Sequence, residues 1–351
     1  MARSHFTLAA LATSAVAGAD IVATRPLTGT GAARFDSAVV TLRSGDEYVV
    51  RVPVTAEAES EQSRDLVALN ALTPGVRTRL PFHLPAFVGQ APVGETRAIV
   101  YDAIQGRPAT LGDIGGADSA SDSIGRAIAA VHSLPTSVVS DAGLASHTSS
   151  QVAATAKKVA DRAAATGKVP NELLTRWAIA LEDSALWQFQ PSVVNGALAP
   201  ESFLLLGDQV TGIVGWHELR VGDPALDLFW LNSASSASAA DRVYDEYERA
   251  LTRPADRQLR KRARLYAELE IARWLLHGHD ARDAAIVADA EAMLGSLRAT
   301  VENDLLNPLS TDTGQIMAVE DVEAMLDRTP LPGRSPLAGA SPSHANRIAE
   351  D

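Results

Sequence analysis

Cysteine is absent from this 351-residue chain. That absence excludes disulfides, thiolate zinc sites and a cysteine nucleophile, and it suits a reducing compartment, so a cytoplasmic location is expected. Lysine is almost absent too. Lys157, Lys158, Lys168 and Lys261 are the whole complement, and the first 156 residues contain none. A phosphate-binding lysine in that first part is therefore excluded. Positive charge as a whole is outweighed, with 31 Lys and Arg against 43 Asp and Glu and a formal net charge of −12. This balance argues against nucleic acid or an anionic membrane as the partner, and a nucleotide would need a local basic cluster. No apolar run approaches the ~20 residues that span a bilayer. No internal repeat is visible.

What is present reads as an ordinary globular protein, 46% hydrophobic and 21% charged, and long enough for two lobes with real cores. The N-terminal MARSHFTLAALATSAVAGAD carries one early arginine, an apolar run and an A-x-A-like end. Two readings stay open for it: a signal peptide, or a first helix ending at Gly18. Residues 20–54 alternate short apolar runs (IVATRPL, SAVVTL, YVVRVP) with turn-rich separators, and RSGDE predicts a hairpin. Residues 55–73 predict a helix with Leu66, Leu69 and Leu72 on one face, stopped by Pro74-Gly75. HLPAFVGQAP and ETRAIVYDAI predict two more strands, and Gly106-Arg107-Pro108 punctuates.

From about residue 120 the pattern turns helical. SDSIGRAIAAVHSL sets Ile124, Ile128 and Val131 on one face, with His132 as a packed or capping residue. Helices also fit 151–165, 171–187, 241–250, 256–277 and 281–305. The interruption is 192–222, where SFLLL and VTGIVGW flank Gly207-Asp208 and predict a β-hairpin inside a helical lobe. QIMAVEDVEAMLDR predicts a final acidic helix, either packed or docking a partner. The Pro/Ser/Gly-rich tail from Pro330 reads as disordered.

The most specific stretch is VVNGALAPESFLLLGDQVTGIVGWHELRVGDPALDL. It resembles the aminoglycoside phosphotransferase and choline-kinase group of the protein-kinase-like fold. Members carry V-H-G-D-x-x-P-x-N-x-L, a Gly-containing turn, V-x-G-(I/V)-I-D-W and then G-D-P-x-x-D-L. The framework matches at Val194, Gly196, Pro200, Gly212, Trp216, Gly222, Asp223, Pro224, Asp227 and Leu228, and the resemblance extends over roughly residues 1–305. It implies an α+β, two-lobed, protein-kinase-like fold: a small β-rich N-lobe over 1–105 and a larger, mainly helical C-lobe over 106–310 containing a β-hairpin. A helix at 311–329 and a disordered tail at 330–351 would follow.

The departures from that pattern fall on its chemistry. The resemblance puts the family's catalytic-loop His on Asn195, its catalytic Asp on Ala197, its metal-binding Asn on Ser202 and its metal-binding Asp on Gly215. Its strand-three Lys falls on Arg51, whose planar guanidinium keeps the charge but not the shape of an ammonium. The helix carboxylate that pairs with that cation falls on Asp65, with Glu61 as second candidate. Phosphoryl transfer depends on positioning and charge neutralisation, with magnesium held by hard oxygen ligands. Glycine offers no such ligand, and alanine cannot orient a nucleophile. A positioned general base alone contributes ~10²–10⁴-fold in rate.

The kept residues also have plain structural explanations. Asp223-Pro224 reads as a helix N-cap followed by proline at the first helical position, with Asp227 in the first turn near the helix dipole. Asp208 is explained by turn chemistry. His217 and Glu218 are candidates for rescuing the lost chemistry. The remaining nucleotide-cleft candidates are Gly29 and Gly31 in LTGTGAARF, and Asp102 and Ala103 at the family's interlobe hinge. The expectation is a pseudo-phosphotransferase that binds a protein partner or small-molecule ligand. No cofactor is certain on this reading, ATP is a candidate ligand, and magnesium binding is expected to be lost or weak. The competing expectation is an active ATP-dependent small-molecule phosphotransferase with unconventional residues.

Overall fold

The structure is a computed structural model, and it describes residues 3–27, 34–115, 119–234, 236–254 and 256–301. Helix α1 (His5–Ala15) is capped by the Ser4 side chain, which accepts from the Thr7 N–H. It precedes β1 (Ile21–Pro26), β2 (Phe35–Leu42) and β3 (Glu47–Pro53). Thr55 caps α2 (Ala56–Ala71). A single helical turn, α3 (Pro74–Arg77), then leads to β4 (Phe87–Val93) and β5 (Thr96–Asp102). Pro74 begins that turn as its first residue, so it starts a new element as well as ending α2.

The five strands form one antiparallel sheet in the order β1-β2-β3-β5-β4. Strand alternation divides β5 between two cores. Ala98 and Val100 join Leu8, Ala12, Ala38, Val40, Val50 and Val52 beneath α1, while Ile99 and Tyr101 join the core of Leu69 of α2 and Leu72 just after it. The N-terminal segment forms helix α1, which packs on one face of the sheet through Leu8 and Ala12.

The second lobe begins with β6 (Arg107–Pro108), α4 (Ser121–His132), α5 (Ser137–Ser140), α6 (Ser149–Ala165) and α7 (Asn171–Glu182). Arg107 and Pro108 form more than punctuation, because they pair with Leu205 and Leu204. Next come β7 (Ser192–Val194), β8 (Phe203–Leu206), β9 (Gln209–Ile213) and β10 (Arg220–Gly222). The hairpin β8–β9 turns at Gly207-Asp208, and β10 returns antiparallel to β7. The lobe closes with α8 (Ala237–Ala250), α9 (Leu259–Ala281) and α10 (Ala284–Val301). The segments Gly29 and Gly31, the acidic helix at 315–328 and the tail from Pro330 lie outside the described residues.

Helix α9 is the axis of this lobe, with 16 of its 23 residues buried. Its buried charges are matched. Glu268 accepts from Arg176 and from Trp177 Nε1 at 2.9 Å. Arg262 forks onto Asp223 at 2.7 and 3.1 Å. Helices α4 and α8 meet at Gly125, where an added Cβ would lie 2.7 Å from the Val243 carbonyl oxygen. The chain is therefore an α+β, two-lobed structure with a β-rich N-terminal sheet and a helical C-terminal region. Among the described residues, no helix is long and apolar enough to cross a membrane.

Candidate functional site

The 192–222 hairpin region and α2 face each other across the interlobe cleft, whose volume is about 1930 Å3. The loop after β7 is held from below by one carboxylate. Asp227 accepts the backbone N–H groups of Asn195 at 2.8 Å and Gly196 at 2.6 Å, and it meets His132 Nε2 at 3.0 Å. His132 Nδ1 in turn lies 2.9 Å from the Tyr247 hydroxyl. Asp227 and His132 are buried. The expected dipole role of Asp227 gives way to this one. It closes a short 3-10 helix, Pro224–Asp227, and clamps the loop above.

Asp223 caps that helix as expected, accepting from the Ala225 N–H at 3.0 Å. It also receives Arg262 and the Tyr266 hydroxyl at 2.8 Å. Arg262, Tyr266 and Tyr247 lie 20 to 43 positions away in sequence, and no local pattern linked them to the site.

Three of the four degenerate positions, Ala197, Ser202 and Gly215, line the cleft, and Asn195 is buried behind them. Asn195 is fully buried, and its side chain donates from Nδ2 to the Gly215 carbonyl at 2.9 Å. Its Oδ1 accepts from the Ala197 N–H at 3.1 Å. Asn195 therefore ties the loop to the segment after β9. Ala197 and Gly215 line the cleft. Gly215 has φ +76°, and a Cβ built there would meet nothing within 4 Å. Ser202 also lines the cleft, but its hydroxyl accepts from the Ala199 N–H at 3.2 Å. Gly196 has φ +84° and an added Cβ would lie 2.7 Å from the Glu218 carbonyl oxygen, so the turn requires glycine.

The expected pairing of Arg51 with a helix carboxylate is not formed. Asp65 instead accepts the backbone N–H of Trp216 at 2.6 Å, and the Tyr101 hydroxyl lies 3.5 Å away. Burial pushes the Asp65 carboxyl above the usual carboxylate range, against the opposing pull of that N–H and the charge of Arg51. Glu61 pairs with Arg34 at 2.6 Å. Arg51 lies over the Phe35 ring, 3.9 Å from its centroid. Arg51, Asp102 and Ala103 all line the cleft. At the hinge, however, the Asp102 N–H donates to the Ala86 carbonyl and the Ala103 N–H to the Glu47 carbonyl. Those two amides are committed inside the sheet.

His217 and Glu218 both reach the cleft. Glu218 accepts from Arg64 and from Arg220, each at 2.7 Å. The His217 imidazole is pushed down to about 3, chiefly by burial and then by the charges of Arg64, Arg34, Arg51 and Arg220. It is therefore neutral at physiological pH and a weak base.

A hairpin-bearing helical lobe under a five-stranded sheet, with the loop clamped by the Asp of a G-D-P-x-x-D-L element, defines a kinase-like phosphotransferase fold. The comparisons agree. The model of the phosphotransferase enzyme family matches residues 30–266, and the chain belongs to that family. Among solved structures, the macrolide 2'-phosphotransferase MphH from Brachybacterium faecium superposes with a TM-score of 0.67 at 20% identity, covering 82% of this chain and 97% of that one. The GDP complex of wild-type aminoglycoside 2'-phosphotransferase-IIIa gives a TM-score of 0.67 at 16% identity, covering 87% and 99%. At these identities the likeness is one of fold. A curated relative, the uncharacterized protein YcbJ of Bacillus subtilis (strain 168), is 30% identical over 83 residues, which is 23% of this chain. The match spans 27% of that protein's length.

Proposed function

We propose that this chain is a catalytically degenerate member of the family, which works by holding a small-molecule ligand or a protein partner at the interlobe cleft. The observation that carries this reading is the set of side chains around 195–217. Phosphoryl transfer needs oxygen ligands for magnesium and a group that orients the nucleophile. Gly215 and Ala197 supply neither, and the Ser202 hydroxyl is engaged by the Ala199 N–H. Among the described residues, no group of three or more His, Asp or Glu side chains could hold a metal ion. The residues present do not fit a magnesium site.

The scaffold around these positions is intact, which supports binding as the retained role. Asp227 and Asn195 fix the loop, and Asp65 fixes the segment after β9. The helical side of the cleft offers Leu144, Val152, Phe229 and Leu276 beside Glu270 and Arg273, a mixture suited to a small organic ligand. A cysteine-free chain in a reducing cytoplasm belongs to the same reading.

The alternative is an active ATP-dependent phosphotransferase acting on a small-molecule hydroxyl. It is favoured by one observation: His217 and Glu218 line the cleft directly after Gly215 and Trp216. The test is a coupled phosphotransfer assay across aminoglycosides, macrolides, choline-like amines and sugars with ATP and magnesium. Turnover at background is expected. Robust turnover that disappears in Glu218→Ala or His217→Ala would establish the active enzyme instead.

A further inference from the structure

The helical side of the cleft is a groove between α6 and α9. From α6 it takes Val152, Thr155, Val159 and Arg162, whose spacing puts them on one helix face, with Lys158 beside them. From the C-terminal half of α9 it takes Glu270, Arg273, His277 and Asp280 at the same spacing. Arg162 and Asp280 bridge the two helices at 2.8 Å. Leu144, Val152 and Phe229 are partly buried, and with Leu276 they give the groove an apolar stretch.

Both carboxylates of this groove are already paired. Glu270 is buried and accepts from Arg273 Nη1 at 2.5 Å, and Asp280 accepts from Arg162 Nη2. Lys158 is different. Its neighbour Lys157 pairs with Asp161 at 3.0 Å, but among the described residues Lys158 has no carboxylate within ion-pair distance. Lys158 also stands four residues before Arg162, and like charges at that spacing on a helix repel. Three cations, Lys158, Arg162 and Arg273, therefore face two carboxylates here, in a chain whose net charge is −12. His147, at the mouth of the groove, adds no charge above pH 7, because burial and then the Arg220 guanidinium hold its imidazole below the ordinary value.

We propose that the ligand of this groove is a small organic carboxylate with an apolar body, its acidic group on the Lys158 ammonium and its body against Leu144, Val152, Phe229 and Leu276. An α-helix rises 1.5 Å per residue, so Val152 and Lys158 stand about 9 Å apart along α6, the length of a small organic molecule. A lysine takes an anion as a point charge, and Arg162 one turn further on adds to the attraction. The anion would also relieve the repulsion between those two cations. A polycation is refused by the same arrangement. It meets the unpaired Lys158, and it finds a carboxylate only by displacing Arg162 or Arg273 from its partner. The inference rests on the reading that the cleft holds a small-molecule ligand, and it deepens that reading by fixing the ligand's charge.

The test is calorimetry on the full chain with probes matched in shape and opposite in charge. Decanoate, naphthoate and phenylbutanoate are compared with decylamine, naphthylmethylamine and phenylbutylamine, and with kanamycin as a polycation. At least one carboxylate should bind at least tenfold more tightly than its amine, and kanamycin should not bind. Lys158→Gln should weaken that carboxylate at least fivefold, and Lys158→Glu should turn the preference toward the amine. Lys157→Gln, one residue away and off the cleft, should leave binding within twofold. Thermal melts of the free variants check that each folds. Amines or kanamycin binding as tightly as the carboxylates, with phosphotransfer at background, overturns this inference alone. So does carboxylate binding that ignores Lys158→Gln, and so does failure of every carboxylate to bind. Phosphorylation of kanamycin by ATP and magnesium overturns it together with the degenerate reading.

Discussion

The Asp65 carboxylate of α2 accepts the backbone N–H of Trp216 at 2.6 Å, which joins the N-lobe helix to the segment that follows β9. Both residues are buried, and a second bridge between the same elements runs from Arg64 to Glu218. Helix α2 is therefore fixed against the hairpin lobe through a backbone group, and the lobes are tied without an Arg51 ion pair.

Asp65→Ala should leave the Trp216 N–H unpaired in the interior and destabilise the fold by about 1–3 kcal/mol in urea unfolding. Asp65→Asn keeps an acceptor and should cost less. The pH dependence separates the two effects. Burial raises the Asp65 pKa above 3.8 in the folded state. Its contribution is then fully present below pH 3.8 and lost as pH rises through the folded value. The stability of wild type relative to Asp65→Asn should accordingly fall as pH rises through that range. A difference that does not change with pH would show the carboxyl to be unshifted.

Asp227→Ala should be among the costliest single changes in the C-lobe. It removes the acceptor for two backbone N–H groups and leaves His132 unpartnered on that side. The expected cost is roughly 3–5 kcal/mol, the range for breaking a buried charged network. Hydrogen exchange at Asn195 and Gly196 should accelerate in Asp227→Asn, where an amide cannot serve both N–H groups equally. Unchanged protection at those two amides would contradict the clamp.

Local pattern carried most of the fold. Short apolar runs between turn signals located β1–β3, β8 and β9, and all of these but β1 bury residues in the core. The helix boundaries drifted by a few residues, as at α7, which stops at Glu182 rather than 187. The framework glycines and aspartates also located the cleft. Partnerships were not legible. Arg51 goes to Phe35, and Asp65 goes to a backbone N–H contributed 151 residues further on, because both choices depend on how two lobes pack. The convergence of Arg34, Arg51, Arg64 and Arg220 on His217 was equally hidden, since they come from widely separated parts of the chain. The missing lysines hinted at it, because any cation in the first lobe had to be arginine or histidine.

His217 should control the acid limb of stability. Its pKa falls from 6.5 to about 3 on folding, through burial and then Arg64, Arg34, Arg51 and Arg220. A lowered folded value means that the stability is fully present above pH 6.5. It is lost as pH falls toward 3, at up to about 1.4 kcal/mol per pH unit. Glu61 Oε1 lies 3.8 Å from the same ring, so the difference between wild type and His217→Gln is the quantity to measure. That difference should narrow as pH falls from 6.5 to 4. Parallel curves for the two proteins would mean that His217 titrates normally.

Restoring the motif should return metal binding at the expense of stability. The triple variant Ala197→Asp, Ser202→Asn and Gly215→Asp brings back oxygen ligands at two positions that line one cleft. The Cβ at 215 meets open space, but φ +76° places an L-residue in the left-handed region, at a cost of order 1–3 kcal/mol. Ser202→Asn also replaces the hydroxyl that accepts from the Ala199 N–H. Two new carboxylates in an acidic molecule repel each other without a cation between them. The variant should therefore melt below wild type in EDTA, and magnesium with ATP should recover part of the loss. Calorimetry should detect magnesium binding in the variant with nucleotide present. If the melting temperature ignores the metal and no magnesium binds, positions 202 and 215 do not share a ligand-facing cleft. The alignment of this loop with a catalytic loop would then be wrong.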